Sequence, residues 1–271
     1  MRGAAIGAGL RCDLRDPGNH AWRAYYPSDW AWEFLRRHQD YRADWHAATP
    51  RSPPRVLLRD GTLLIRLRRR YPRAERWGLY AFADPSHPTR TTPVFWLPTV
   101  SRRILRAHCD MGTDLPHAMT LARFRAERSA LIGVDGTPVV AFRNGCSAGL
   151  VAPGWHVLTR PAAMTFELDG FNGFSPQIEG LRLLQRLTLP APLAPVARPS
   201  AKANERLFQA LTALDGSLAG RSYREIATTI FGQQRVARDW NAASRFLKDR
   251  TRRLVARGHA LMNGGYRDLL S

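Results

Sequence analysis

Basic side chains recur on one face of a helix that is predicted near the end of the chain. Arg245, Lys248 and Arg252 stand at positions i, i+3 and i+7, and Asp249 lies beside them. The segment 221–260 holds ten lysines and arginines but only three acidic residues, a net charge of +7. Cations in such a row can neutralise successive phosphates of a nucleic acid, although a solvated helix face would show the same pattern.

The opposite side of this helix is predicted to be apolar, as a helix that packs on its own domain requires. Ser244 is the predicted N-cap. When successive residues are placed about 100° apart around the helix axis, one side carries Ala243, Phe246, Leu247, Leu254, Gly258 and Leu261. Arg250 falls on this apolar side, so we expect it to be partly buried and bound to a carboxylate or carbonyl group.

A shorter helix is predicted upstream, and its pattern is that of the scaffold helix of a helix-turn-helix. Ser222 and Glu225 have the spacing of a capping box. Gly232 follows where a helix end favours a positive φ. One face is apolar at spacings of three and four, through Tyr223, Ile226, Ala227 and Ile230. The alternative is an ordinary capped surface helix in an all-α domain.

The sequence leaves open which helix would enter a DNA groove. If the helix after Ser244 does so, Arg245 is expected at base edges, because the first residues of a recognition helix usually reach them. Alternatively, residues 233–240 form a separate short helix that presents Arg235 and Arg238 to the bases. The predicted DNA-binding residues are therefore Arg224, Arg235, Arg238, Arg245, Lys248, Arg252 and Arg253.

The overall composition agrees with an anionic partner. The chain has 41 lysines and arginines against 22 acidic residues, a formal net charge of +19. Lys202 and Lys248 are the only lysines. Because so strong a bias toward arginine also fits GC-rich codon usage, the clustering of the charges is better evidence than their sum.

Other classes of protein find little support in the sequence. Three cysteines without a Cys-x-x-Cys pair fit a reducing cytoplasm, and His108, Cys109 and His117 lack the second pair of a zinc site. The remaining reactive groups, Asp135, Cys146 and His156, stand in no catalytic motif. No apolar run is long enough to span a membrane. The sequence therefore predicts a cytoplasmic, nucleoid-associated protein that is not an enzyme and needs no metal or cofactor.

Composition shifts predict an α+β protein in several parts. The predicted parts are a disordered extension at 1–22, a short helical module at 23–50, a β-rich central domain with helices at 55–187, a proline-rich linker at 188–200 and a helix-turn-helix domain at 201–271. In the helical module the predicted apolar face is rich in aromatic residues: Trp32, Phe34, Leu35, Tyr41 and Trp45. Arg36, Arg37 and Arg42 are expected to be polar decoration.

The central domain is predicted from turn signals. The Asp-Gly pairs at 60–61 and 135–136 each lie between β-rich runs and predict hairpins. Further strands are expected at 155–159 and 164–168, and helices near 100–108 and 175–187. Arg66, Arg68 and Arg70 alternate along one strand, either as a second nucleic-acid surface or as a solvated face. We expect this domain to carry oligomer or partner contacts.

Several of these segments resemble known families. Trp240 together with residues 244–254 and 264–270 resembles the DNA-binding domain of RovC-type transcription factors of type VI secretion. Residues 29–45 resemble a transcriptional-regulator-like domain that is joined to such a module in FseA-type activators of integrative and conjugative element transfer; residues 77–85 and 93–98 are also similar to that group.

The resemblance implies a DNA-binding activator of secretion-system or mobile-element transfer genes. Its implied partners are double-stranded DNA, further copies of the chain as a homo-oligomer, and RNA polymerase or an anti-activator protein, with no membrane. An interaction module that acts as an anti-activator of another regulator is the alternative.

Overall fold

Two units make up the part of the chain that the computed structural model describes, namely residues 20–48, 53–143, 146–151, 154–170, 174–189, 200–241 and 245–271. The helical unit joins the chain up to His38 with residues 198–269. The sheet unit holds residues 39–197 and the last two residues. The predicted extension and proline-rich linker fall largely on residues 1–19 and 190–199, which lie outside the described residues.

One mixed sheet forms the centre of the sheet unit. Its described strands are β1 (Arg55–Leu57), β2 (Leu63–Arg66), β3 (Ile104–Met111), β4 (Arg128–Ile132), β5 (Pro138–Phe142), β6 (Cys146–Val151) and β7 (Ala162–Glu167). They lie in the order β1-β2-β4-β5-β6-β3-β7. The pairs β2/β4 and β3/β6 are parallel and the other neighbours are antiparallel. Together with the helices, this sheet confirms the predicted α+β class.

Both predicted hairpins are present. Gly61 and Gly136 have φ of 82° and 81°, so each turn needs a residue that tolerates the left-handed region. Arg55 pairs with Ile65 across the first turn, and Ile132 with Pro138 across the second.

Two other predictions for the central domain were wrong. The helix expected near 100–108 is the start of β3, where Leu105, Ala107 and Cys109 are buried and the residues between them are exposed. This period of two is that of a strand, and pairing with β6 and β7 on both sides fixes it. The strand expected at 155–159 is a 3₁₀ helix, Trp155–Leu158, which follows Gly154 at φ 76°.

Within the described residues, three α-helices belong to the sheet unit, and the last of them packs against the sheet. They are α2 (Gln39–Ala47), α3 (Pro72–Glu75) and α4 (Phe174–Thr188), the last confirming the helix predicted at 175–187. A Cβ on Gly180 of α4 would lie 3.4 Å from the Leu105 side chain, so the helix lies close on β3. Their shared core includes Val140, Leu150 and Leu184.

Helices α5 (Ala201–Leu218), α6 (Tyr223–Phe231), α7 (Gln233–Asp239) and α8 (Phe246–Met262) form most of the helical unit. The crossing of α5 and α8 is tight, because a Cβ on Gly258 would meet the Ala210 carbonyl oxygen at 2.7 Å. Gly216 allows α6 to approach in the same way, since a Cβ there would lie 2.7 Å from Ile226. Among the described residues, no helix is both long and apolar enough to cross a membrane.

The N-terminal segment of the chain completes this helical unit. Its elements are a 3₁₀ helix, Ala21–Ala24, and α1 (Pro27–Leu35). Trp22 stacks on Phe208 of α5 at a ring separation of 4.6 Å, so Trp22 is ordered although the sequence places it in the extension. The indole N–H of Trp30 donates to the Asn204 side chain at 2.8 Å. The Asn204 amide in turn donates to the carbonyl of Tyr25.

Arg36 and Arg37 are not polar decoration, which corrects the expectation for these two side chains. Both are 2% exposed. The Arg37 guanidinium donates to Glu33 at 2.9 Å and to Asp215 of α5 at 2.5 Å, and Arg36 donates to the same Glu33 at 2.7 Å. The two arginines are buried because carboxylates are buried with them.

The helical module expected at 23–50 is divided between the units. Whereas α1 belongs to the helical unit, α2 belongs to the sheet unit, where the Tyr41 hydroxyl donates to the Ala83 carbonyl at 2.7 Å. Asp44 accepts from the Trp77 indole at 2.8 Å in the same unit. The division between the two units of the structure therefore falls inside this predicted module, after His38.

Candidate nucleic-acid interface

Helix α6 begins and ends as its sequence predicts. The Ser222 hydroxyl accepts from the Glu225 backbone N–H at 3.3 Å, and the Glu225 carboxylate accepts from the Ser222 backbone N–H at 2.8 Å. Gly232, at φ 87°, ends α6 and directly precedes α7. Ile226 and Ala227 are buried, although Tyr223 on the predicted apolar face is 47% exposed.

The buried side of α8 lies one residue further round the helix than predicted. Phe246 is 52% exposed, whereas Leu247, Thr251 and Val255 are buried. The helix begins at Phe246, after Arg245 with a left-handed φ of 47°. Leu247 packs in one cluster with Ala227 and Val236. Phe246, one residue earlier, is rotated by about 100° around the helix axis and so faces away from this cluster. The predicted N-cap, Ser244, and Ala243 lie outside the described residues.

The outer side of α8 carries arginines without partners. Arg245, Arg252, Arg253 and Arg257 are exposed, and their guanidinium groups make no hydrogen bond or ion pair within the described residues. The sequence prediction omitted Arg257, although its spacing of four from Arg253 is the signal that would have found it. Unpaired guanidinium groups on one helix are free to donate to phosphate or to base edges.

Lys248 and Arg250 of α8 differ from these exposed arginines. Lys248 is half-buried, and its ammonium nitrogen lies 5.6 Å from the centre of the Trp240 ring. Arg250 is also half-buried; it donates to the Gln209 side-chain carbonyl at 3.3 Å and lies 4.9 Å from the Phe231 ring. The prediction that Arg250 is partly buried with a carbonyl partner is confirmed.

The cations of α7 are already paired. Residues 233–239 do form the separate short helix that the sequence allowed as an alternative. However, Arg238 donates to Asp239 at 2.8 Å, and the Arg235 guanidinium lies 3.8 Å from the same carboxylate. The hydrogen bond from Arg238 and the nearby positive charges lower the pKa of Asp239. The carboxylate is therefore charged at neutral pH and offsets the positive charge of α7.

Arg224 lies on a third surface. It is exposed on α6 and borders a shallow depression together with Arg221, Thr228 and Thr229. The predicted residues thus fall on three helices. Among the described residues, Arg224 is exposed without an ion-pair partner on α6, whereas α8 and its N-cap residue bring together three such cations, Arg245, Arg252 and Arg253.

The side chains considered as zinc ligands, His108, Cys109 and His117, are not part of a metal-binding group in the described structure. No group of three potential metal-binding side chains occurs within the described residues. Burial raises the pKa of the Cys109 thiol to about 11, so it is protonated at neutral pH. The His108 ring instead lies 2.5 Å from the Glu167 carboxylate, on neighbouring strands.

Comparisons with known proteins agree with this geometry. Residues 174–271 match the family model described as the type VI secretion transcription factor, DNA-binding domain, of RovC type. Residues 18–80 match the proteobacterial transcriptional regulator-like domain. A search of curated proteins found no match. The first match begins at Phe174, the first residue of α4, ahead of the boundary predicted at 201. The chain therefore carries two segments similar to families of transcriptional regulators, a proteobacterial transcriptional regulator-like domain followed by a RovC-type DNA-binding domain.

Proposed function

We propose that the protein activates secretion-system or mobile-element transfer genes, and that it reads double-stranded DNA with α8. The family matches support the first part, because they pair a regulator-like domain with a DNA-binding domain of type VI secretion transcription factors. The protein is proposed to act as a homo-oligomer in contact with RNA polymerase.

The observation that carries the choice of α8 is the state of its arginines. Arg245, Arg252 and Arg253 are exposed and lack an ion-pair partner in the described part of the chain. Binding a phosphate therefore requires no protein ion pair to be broken. The α7 arginines would first have to leave the carboxylate of Asp239. The positive charge of α8 is thus more available to phosphate than that of α7.

The test is an electrophoretic mobility shift at several salt concentrations, on selected and on random DNA. The variant replaces Arg245, Arg252 and Arg253 with alanine. The matched control removes three exposed arginines of the sheet unit, Arg59, Arg73 and Arg160. We expect the α8 variant to lose binding and the control to retain it.

Two outcomes would contradict this assignment. If both triple variants lose binding equally, net charge and not α8 accounts for affinity. If the α8 variant binds as the wild type does, Arg235 and Arg238 become the reading residues.

The regulated genes need a separate experiment. Chromatin immunoprecipitation from the source cell should enrich intergenic regions upstream of secretion or transfer genes. A reporter behind such a region should rise when the chain is expressed. Repression of the reporter would contradict activation, while co-purification with another regulator and no DNA enrichment would favour the anti-activator role.

A further inference from the structure

A groove of about 670 Å³ lies between β7, α4 and the loop before residue 124 in the sheet unit. Half-buried side chains line it, among them Met119, Met164, Phe166 and Leu181. The buried Phe124 ring also contributes to the lining. This volume is within the range of about 300–1,000 Å³ found for small-molecule sites. Methionine side chains adapt to ligands of different shape, which suits a flexible apolar chain.

The titratable side chains that line the groove in the described part of the chain are all basic. Among the described residues that line it, the titratable side chains are His117 and Arg182, and both are exposed. The Arg182 guanidinium makes no hydrogen bond or ion pair within the described residues. No carboxylate side chain appears in this lining.

The carboxylates of β7 and α4 are engaged elsewhere. Glu167 of β7 binds His108 at 2.5 Å and lies 3.6 Å from Arg106. Glu179 of α4 binds Arg103 at 3.0 Å. These pairs leave Arg182 free to hold an anion at the mouth of an apolar groove.

We propose that this groove binds a small amphiphile with an apolar chain and an anionic head group such as a carboxylate. The chain would lie against Met164, Phe166 and Leu181, and the head group would face Arg182. Helix α4 supplies Leu181 and Arg182, and it is also the first element of the DNA-binding family match at 174–271. A ligand in the groove would therefore contact a helix of that match, although the binding itself does not depend on how DNA is read.

The test uses isothermal titration calorimetry on the full chain with hexanoate, octanoate and decanoate, and with octylamine as the cationic match to octanoate. Each added methylene should tighten binding about fourfold when it is buried. Octylamine should bind at least about fivefold more weakly than octanoate, because Arg182 attracts the carboxylate and repels the ammonium. Arg182→Glu should reverse this preference.

Two further variants separate the groove from the rest of the surface. Leu181→Trp should fill the groove and abolish carboxylate binding, with folding checked by circular dichroism. Arg66→Glu makes the same charge change as Arg182→Glu on β2, at the far side of the sheet order from β7, and should change nothing. Equal binding of octanoate and octylamine, affinity independent of chain length, or unchanged binding by folded Leu181→Trp would overturn the proposal. A concentration-dependent dimer that Leu181→Trp dissociates would also overturn it, because a second copy would then occupy the groove.

Discussion

The arginines that follow α1 and those on α8 have opposite environments within one helical unit. Arg36 and Arg37 of the N-terminal segment are buried and share the carboxylate of Glu33. Arg252 and Arg253 of α8 are exposed, with no ion pair in the described residues. In each pair the two arginines are adjacent in sequence. Arg36 and Arg37 follow α1, whereas Arg252 and Arg253 lie on α8.

The difference shows that the acidic partner, more than the arginine itself, decides the role of the side chain. Glu33 and Asp215 are both within 2.9 Å of Arg37, so its charge is compensated inside the fold. Removing one member of such a buried group leaves an uncompensated charge. On α8 the compensating charges must come from outside, and phosphate is their natural source.

The largest effect is expected from separating the two parts of the helical unit. A fragment of residues 200–271 leaves Phe208 without its stacking partner Trp22, and Asp215 without Arg37. We expect it to be less stable than any point variant, although the sequence predicts a separate domain at 201–271. Adding residues 20–38 through a flexible linker should restore protection of α5 in hydrogen-exchange mass spectrometry. A fragment that is as well protected without that addition would show that α1 is dispensable.

Within the intact chain, Arg37→Met tests the buried group directly. The substitution leaves Glu33 and Asp215 without their shared cation, and we expect a loss of about 3–5 kcal/mol in the stability of the helical unit. Chemical denaturation, monitored by hydrogen exchange in peptides from α1 and α5, measures this loss. Arg252→Ala is the control, with an expected change within about 0.5 kcal/mol because the side chain is exposed. Similar losses for both variants would remove the distinction between the two regions.

Adjacent residues at the start of α8 sharpen the comparison between its two sides. Leu247 is 2% exposed and Phe246 is 52% exposed. Leu247→Ala should cost about 2–5 kcal/mol, as for other buried leucines. Phe246→Ala should cost well under half of that, although the predicted apolar stripe placed both residues in the core. The midpoints of urea unfolding of the two variants test this expectation. A larger loss of stability for Phe246→Ala than for Leu247→Ala would mean that the Phe246 ring has a buried partner.

These cases show what the sequence could and could not predict. The caps and turns at Ser222, Gly232 and Gly61 were predictable, because each depends on the chemistry of a few neighbouring residues. The burial of Arg37 was not, since Asp215 lies far along the chain and nothing local marks it as a partner. The rotation of α8 was missed for a similar reason: the face of a helix is set by its tertiary contacts, and Thr251 was not recognised as a core residue. For the candidate interface, residue types and spacing located the basic helix, but only contacts separated the paired Arg238 from the unpaired Arg252.

A smaller effect is expected for single exposed arginines of α8. Arg252→Ala and Arg253→Ala should each lower the salt dependence of DNA binding by about one unit of slope, for every sequence alike, if each guanidinium neutralises one phosphate. Arg245→Ala should instead relax specificity at one base pair at a cost of about 1–3 kcal/mol. Binding measured at four salt concentrations on matched and mismatched DNA distinguishes these patterns. Arg238→Ala is the control. If its slope changes as much as that of Arg252→Ala, pairing with Asp239 does not prevent the arginines of α7 from binding phosphate.

The smallest effect concerns Arg221, an exposed arginine beside a carboxylate at the start of α6. Hydrogen bonds from the Ser222 hydroxyl and then its backbone N–H hold the pKa of Glu225 below its usual 4.5, and the charge of Arg221 contributes less. Because the folded pKa is lower than the unfolded one, this stabilisation is present above pH 4.5 and is lost as the pH falls through the folded value. Ser222→Ala removes a helix cap worth about 1 kcal/mol. Its deficit relative to wild type should be full at pH 7 and smaller at pH 3, as measured by thermal unfolding. Arg221→Ala should change the same curves less, since its charge is open to solvent and screened. If Arg221→Ala lowers stability more than Ser222→Ala does, an exposed charge stabilises the fold as strongly as a cap, and the contrast between the buried and the exposed arginines fails.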